Sequence, residues 1–148
     1  MLLASPALAD DVTLPGPGGV ALKAKLFRAE KPTGPSVIAL HGCGGPYPKR
    51  DEQWAQVLTE QGHTVLFPDS FGSRGLGSQC TVKNRTVTVS GLRRDDAIAA
   101  AKWLAAQDFT PAGGVALMGW SNGASVVLSA GRAAPDLPPN LFRALVAF

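Results

Sequence analysis

Histidine is nearly absent from this chain. Its 148 residues include two, His41 and His63, alongside two cysteines, Cys43 and Cys80. These four are too scattered for zinc-ligand spacing, so no metal site is expected. Charge is sparse as well: Asp, Glu, Lys and Arg make up 17% of the residues, and the formal net charge is +3. The densest basic cluster, Arg93-Arg94, runs straight into Asp95-Asp96 and leaves no nucleic-acid footprint. No apolar run approaches the roughly 18 residues of a membrane span. There is no internal repeat and no low-complexity tract. With hydrophobic residues at 45%, what remains is one soluble globular domain with enough chain for a real core.

The first residues read differently from the rest. "MLLASPALAD" carries a short apolar run ending in Ala7-Leu8-Ala9, the small-x-small pattern read by signal peptidase, but no positively charged start. Residues 1–9 are taken as the remnant of an export signal, against the alternative of a disordered apolar tail. The mature chain would begin near Asp10, with residues 10–148 as one domain. A periplasmic or secreted location follows as an expectation, and such a location permits a disulfide.

Strand and helix patterns alternate along the chain. "DDVTLP" and Val20 to Arg28 read as two strands around a Gly/Pro turn, the second with Leu22, Ala24 and Leu26 alternating with Lys23 and Lys25. "SVIAL" (36–40) is wholly apolar, as a central strand covered on both faces requires. "DEQWAQVLTEQG" is helical, with Trp54, Val57, Leu58 and Gln61 on one face and Gly62 as the stop. Thr64 to Phe67 is a buried strand, and a long Gly-rich loop follows. The stretch from about Val89 to Gln107 is a helix with a stripe of Leu92, Ala99, Trp103 and Ala106. "GGVALMG" is a strand, "NGASVVLSAGRAA" a helix, and "FRALVAF" the start of another strand. The order implies an α/β fold: a mostly parallel sheet with helices on both faces and an antiparallel hairpin at one edge.

Two segments carry chemistry. Gly119-x-Ser121-x-Gly123 lies between an apolar strand and a helix, the context of a nucleophile elbow. A sharp strand-to-helix turn crowds the neighbours of the serine, so residues without Cβ are needed on both sides. The helix start places its dipole and free N–H groups beside Ser121. Acyl transfer also needs two backbone N–H groups aimed at the oxyanion. Asn122, directly after the serine, supplies one. The second is assigned to Cys43 in "HGCGG", which follows "SVIAL" directly. His41 is read as a loop-ordering residue that borders the pocket. A rival reading, a dinucleotide-binding unit ending in Asp69, fails because "GCGGPY" is not G-x-G-x-x-G and Pro46 and Pro48 hold the chain out of helix.

The ordered set "LHGCGG", "VLFPDSFGSRG", "RRDDAIAAAKWL" and "VALMGWSNGASVVL" resembles the dienelactone hydrolase-like branch of the α/β-hydrolase family, over roughly residues 12–148. The resemblance implies a serine hydrolase acting on carboxylic esters or lactones through an acyl-enzyme on Ser121. It implies the Cys43 and Asn122 N–H groups as the oxyanion hole, and no cofactor. The expected partner is a small-molecule ester or lactone, with no nucleic acid and no membrane span.

One departure from the family pattern is serious. The triad order is Ser, then Asp or Glu, then His, yet after Ser121 the only carboxylate is Asp136 and there is no histidine. Asp136 comes too early for the triad acid, and His63 lies at the wrong end of the sheet. A serine without a base is a poor nucleophile. The expectation is therefore an incomplete α/β-hydrolase domain, its C-terminal strands, triad acid and histidine absent, with little or no turnover of its own. The alternative is a non-catalytic member of the fold that binds a ligand or partner. Cys43 and Cys80 both lie on loops following strands and are expected to form a disulfide, against two free thiols. Gly42, Gly44, Tyr47, Arg74 and Trp120 are further pocket candidates, Arg74 as a ligand for a substrate carboxylate or as a loop arginine bonding carbonyls. Asp69, Asp95 and Asp96 are given structural roles.

Overall fold

The computed structural model describes residues 8–148. Its strands are β1 (Ala9–Pro15), β2 (Ala21–Phe27), β3 (Val37–Leu40), β4 (Val65–Pro68), β5 (Val115–Gly119) and β6 (Phe142–Ala147). The helices are α1 (Pro48–Glu60), α2 (Leu92–Ala105) and α3 (Asn122–Ala130). The six strands form one sheet in the order β1-β2-β4-β3-β5-β6. β1 and β2 form an antiparallel hairpin that joins β4 antiparallel, and the β4-β3-β5-β6 portion is parallel.

The short apolar strands are buried on both faces, and their two-residue period sorts the core. Ile38, Leu40, Leu66, Val115 and Leu117 face α2 and α3, whose Ala97, Ala101, Leu104, Val126 and Val127 complete that layer. Val37, Ala39, Val65, Phe67 and Met118 face α1 and pack with Ala55, Trp54 and Leu58. Because β4 and β5 flank β3 on opposite sides, the order reverses beside β3, and the loops after β3 and β5 leave for opposite faces. A crevice at such a reversal, outside the C-terminal strand ends, is where open α/β sheets hold their ligands.

Several sequence expectations change in detail. Pro48 does not keep the chain out of helix: it is the first residue of α1, where its missing N–H costs nothing. Asp51 reaches back to accept the Tyr47 N–H at 3.1 Å. On α1 the buried positions are Asp51 and Ala55, while Val57 is 48% exposed and Gln61 only caps the end. α2 starts at Leu92 rather than Val89, after a turn in which the Gly91 N–H bonds the Thr88 carbonyl. Its buried stripe is Arg93, Ala97, Ala100, Ala101 and Leu104. Leu92, Ala99 and Trp103 are half-buried and Ala106 is exposed, because small alanines let α2 sit close against the sheet and α3. Of the 1–9 segment read as an export remnant, residues 1–7 lie outside the described residues, and Ala9 pairs with Phe27. Among the described residues no helix is long and apolar enough to cross a membrane.

Candidate active site

β5 ends at Gly119 and α3 starts at Asn122, so two residues make the whole turn. Ser121 takes φ 54° and ψ −117°, a conformation that a non-glycine residue adopts only under strain from its surroundings. The two flanking glycines are fixed by contact. A Cβ on Gly119 would lie 2.5 Å from the Gly123 carbonyl oxygen, and one on Gly123 would lie 2.3 Å from the Leu40 carbonyl oxygen and 2.7 Å from that of His41. The elbow is thus pressed against the end of β3. The Ser121 N–H donates to the Phe148 carbonyl at 3.0 Å, and the Ser125 N–H to the Ser121 carbonyl at 3.2 Å begins the helical ladder. The Ser121 side chain is exposed.

The loop after β3 passes alongside. A Cβ built on Gly42 would meet the Trp120 carbonyl oxygen at 3.4 Å and the Ser121 Cβ at 3.7 Å. The loop folds on itself through the Gly45 N–H to Gly42 carbonyl bond at 3.3 Å, with Cys43 and the exposed Gly44 at its tip. Cys43 is bonded to Cys80, 37 residues on, and the Gln79 N–H donates to the Cys43 carbonyl at 2.8 Å. The Cys43 and Asn122 N–H groups have no acceptor among the described residues.

His41 lies beneath this loop, not in an open pocket. It is 3% exposed, edge-on to Phe71. Its Nε2 accepts the Ser70 N–H at 3.2 Å, so the ring proton resides on Nδ1, which donates to the Gly42 carbonyl at 2.8 Å. Burial, reinforced by the neighbouring Arg93 charge, pulls its pKa down to about 4. With both ring nitrogens engaged, it is a neutral brace for the glycine loop and not a base for Ser121. His63 Nδ1 bonds the Pro35 carbonyl at 2.8 Å, far along the chain from the elbow. Asp69 orders its own loop by accepting the Phe71 and Gly72 N–H groups at 3.1 and 2.8 Å.

Arg74 is not free to hold a substrate carboxylate. Its guanidinium grips the fully buried Asp96 with two bonds of 2.8 Å and also donates to the Ser70 carbonyl. This fork holds the Arg74 pKa above its ordinary value. Asp96 therefore has a specific cationic partner besides its place near the start of α2. Asp136 pairs with Arg94 at 3.0 Å on the surface. Trp120 is packed: it stacks on Phe148 at 5.9 Å, leans on Trp54 at 5.7 Å and lies under the Arg50 guanidinium at 4.0 Å. Tyr47 is 56% exposed at the start of α1. Ser121, Asn122, Gly42 and Cys43 are what the fold brings together. An open cleft of about 760 Å³ reaches Asn122 and is otherwise lined by residues 82–89. A separate groove of about 340 Å³ lies between β2 and the start of α1, bordered by Lys23, Phe67 and Asp69.

Arg93 is the residue that sequence reasoning passed over. It is 1% exposed, and it donates to the His41 carbonyl at 2.6 Å and to Asn122 Oδ1. The available signal was its position one turn before Ala97, on the apolar stripe of α2, where a charge is out of place.

A parallel strand, a strained serine and a helix, with the glycine loop of the neighbouring strand alongside, define an α/β-hydrolase fold. The model of the prolyl oligopeptidase family matches residues 50–147, and the chain belongs to that family. Solved structures agree on the fold. Esterase Est22 superposes with a TM-score of 0.65 at 18% identity, over 86% of this chain and 38% of that one. The Pyrococcus furiosus esterase Pf2001 gives 0.62 at 24%, over 82% and 45%. A Mycobacterium tuberculosis puromycin-hydrolyzing peptidase gives 0.63 at 24%, over 84% and 20%. The chain thus spans less than half the length of each of these proteins. No curated protein matches it by sequence.

Proposed function

We propose that Ser121 is the nucleophile of a serine hydrolase acting on small carboxylic esters or lactones. The observation that carries this is a strained, exposed serine held beside two N–H groups without acceptors, those of Cys43 and Asn122. Serine Oγ attacks the acyl carbon, and the carbonyl electrons move to an oxyanion that the two donors hold. Collapse expels the alkoxide, and water later releases the acyl group. The resemblance to dienelactone hydrolases points to esters and lactones; membership of the prolyl oligopeptidase family makes peptide amides the competing substrates to compare. The chemistry needs no cofactor. The Cys43–Cys80 bond supports an oxidising, extracytoplasmic location.

Proton transfer is the open half of the mechanism. His41 is spent on the glycine loop, and no histidine follows Ser121 in the 148 residues. The 148-residue chain alone should therefore show no Ser121-dependent turnover, and the base and acid are to be sought in the whole protein. The same observation favours a second reading, a non-catalytic fold member that binds a ligand in the cleft beside Asn122.

The test is hydrolysis of a nitrophenyl acyl ester by the whole protein, with a prolyl nitroanilide in parallel. Ser121→Ala should remove nearly all ester turnover, at least about a thousandfold, and the acyl group should be found on Ser121 by mass spectrometry. A whole protein without Ser121-dependent turnover would leave the binding reading in its place.

A further inference from the structure

The glycine loop and the elbow come from different strands, yet one buried side chain touches both. Arg93 Nη2 donates to the His41 carbonyl at 2.6 Å, and Nη1 donates to Asn122 Oδ1. The guanidinium lies 5.1 Å from the Phe71 ring, and its Nη2 is 3.4 Å from His41 Nδ1. Among the described residues it has no carboxylate within ion-pair distance, and its Nε has no hydrogen-bond partner. Asp96, on the same helix, is already gripped by Arg74 through both oxygens. An unpaired buried cation is costly and rare, and a structural role alone would be served by a neutral donor.

Its two acceptors explain the placement. The His41 ring donates from Nδ1 to the Gly42 carbonyl, and the N–H at the other end of that same peptide group is the Cys43 donor. Hydrogen bonding to a carbonyl polarises the amide and strengthens its N–H as a donor. Holding the His41 backbone therefore fixes the ring, the ring polarises the Gly42–Cys43 amide, and Gly42 itself lies against the elbow, where a Cβ on it would be 3.7 Å from the Ser121 Cβ. On the other side, holding the Asn122 side chain fixes the first residue of α3, whose N–H is the second donor. We propose that Arg93 is the positioning residue of the oxyanion hole: it ties the two donors to one another across the β3–β5 boundary and adds a fixed positive charge behind them. This rests on Ser121 being the nucleophile.

The prediction is specific to the transition state. A fixed charge and fixed donors matter most when the carbonyl oxygen becomes an anion, and little to the neutral substrate. In the whole protein, with Ser121-dependent turnover first established by Ser121→Ala, Arg93→Met should lower kcat for the nitrophenyl ester about a hundredfold and leave KM within about twofold. A trifluoromethyl ketone, which forms an anionic adduct on the serine, should lose affinity by a similar factor. The matching trifluoromethyl carbinol, which cannot form that adduct, should bind as before. Arg93→Lys keeps the charge but reaches one acceptor at most, so it should recover part of the loss, about tenfold. If Arg93→Met fails to fold, Arg93→Lys and the two inhibitors decide. Full kcat and unchanged ketone affinity in a folded variant overturn the proposal, as does equal weakening of ketone and carbinol. Absence of Ser121-dependent turnover in the parent overturns the hydrolase reading instead.

Discussion

The two sides of Ser121 are built differently. Toward β3, the elbow meets a loop closed by the Cys43–Cys80 bond, braced by His41 and pinned by Arg93, with hardly a methyl group of spare room. Toward β6, the same elbow meets a strand whose apolar residues stand open: Leu145 is 46% exposed, Val146 42% and Phe148 55%. Ser121 sits on the seam, because its own N–H bonds the Phe148 carbonyl. Electrostatic stabilisation of an acyl-transfer transition state needs donors that do not reorganise during the reaction. The rigid side is the one that carries the proposed donors, and this separation of a tightly packed wall from a more open flank is what further measurements should probe.

The sharpest comparison uses the two ends of α3. Gly123 and Gly131 both have negative φ and both look crowded. A Cβ on Gly123 meets the backbone oxygens of Leu40 and His41, which cannot move without displacing β3. A Cβ on Gly131 meets the Leu145 methyl groups at 2.4 and 3.0 Å, on a half-exposed side chain that can swing aside, and one backbone atom, the Val127 carbonyl oxygen, at 3.0 Å, where a shift of a few tenths of an ångström suffices. Gly123→Ala should therefore cost about 4 kcal/mol or prevent folding, and Gly131→Ala less than about 1 kcal/mol. Urea unfolding of both variants checks it; equal costs would mean the two sides are equally stiff.

Acid should loosen the rigid side first. The His41 imidazole takes a proton near its ordinary 6.5 in the unfolded chain and only at about 4 in the folded protein. Between these values the unfolded state holds more protons, so this contribution to stability is fully present above about pH 6.5 and is lost as the pH falls to about 4. Its size is about 3 kcal/mol across that window. Unfolding free energies measured from pH 7 to pH 4 should show this decline, and a His41→Gln variant should give a flatter profile. An equally steep profile in the variant would assign the effect to other groups.

The disulfide comes next. It closes a loop of 37 residues and ties the Cys43 tip to the 79–82 turn. The double variant Cys43→Ala and Cys80→Ala should lose about 2–3 kcal/mol, mainly because the unfolded chain is released. The backbone N–H at position 43 survives the substitution, so ester turnover of the whole protein should fall far less than in Arg93→Met. A collapse of turnover equal to that of Ser121→Ala would show that the covalent tie, not Arg93, sets the donor geometry.

What could be read from the sequence divides along the same seam. The elbow was legible because its signal is local: an apolar strand, two glycines at fixed offsets and an amphipathic helix. The glycine loop was legible because it follows a strand buried on both faces. Arg93 and the Arg74–Asp96 pair were not, since each depends on which residue lies opposite after the chain has crossed the sheet, 22 to 52 positions away. The same blindness misplaced the stripe of α2: large residues at helical spacing suggested Leu92 and Trp103, whereas close packing against the sheet selected Ala97, Ala100 and Ala101. For Arg74 the sequence allows a substrate carboxylate or loop carbonyls; the carbonyl bond, to Ser70, is made, while its carboxylate partner Asp96 is invisible in sequence because it sits on another element.

The smallest effect tests the open flank. β6 pairs only with β5 among the described residues, so its outer edge presents unpaired backbone groups next to exposed Val146 and Phe148. Such an edge is a template for a second chain, and a lysine on it adds repulsion and hydration where two edges would meet. Val146 is already 42% exposed, so Val146→Lys removes little buried area and should change stability by about 0.5 kcal/mol or less. Its effect should appear in association instead. Sedimentation of the 148-residue chain at rising concentration should show reversible self-association, reduced in Val146→Lys. A lysine in place of the exposed Leu128 on α3 should leave it unchanged, because that helix face offers no unpaired backbone. If the parent stays monomeric, or if both lysines act alike, the edge is no stickier than the rest of the surface. The contrast between the two sides of Ser121 would then be one of packing alone.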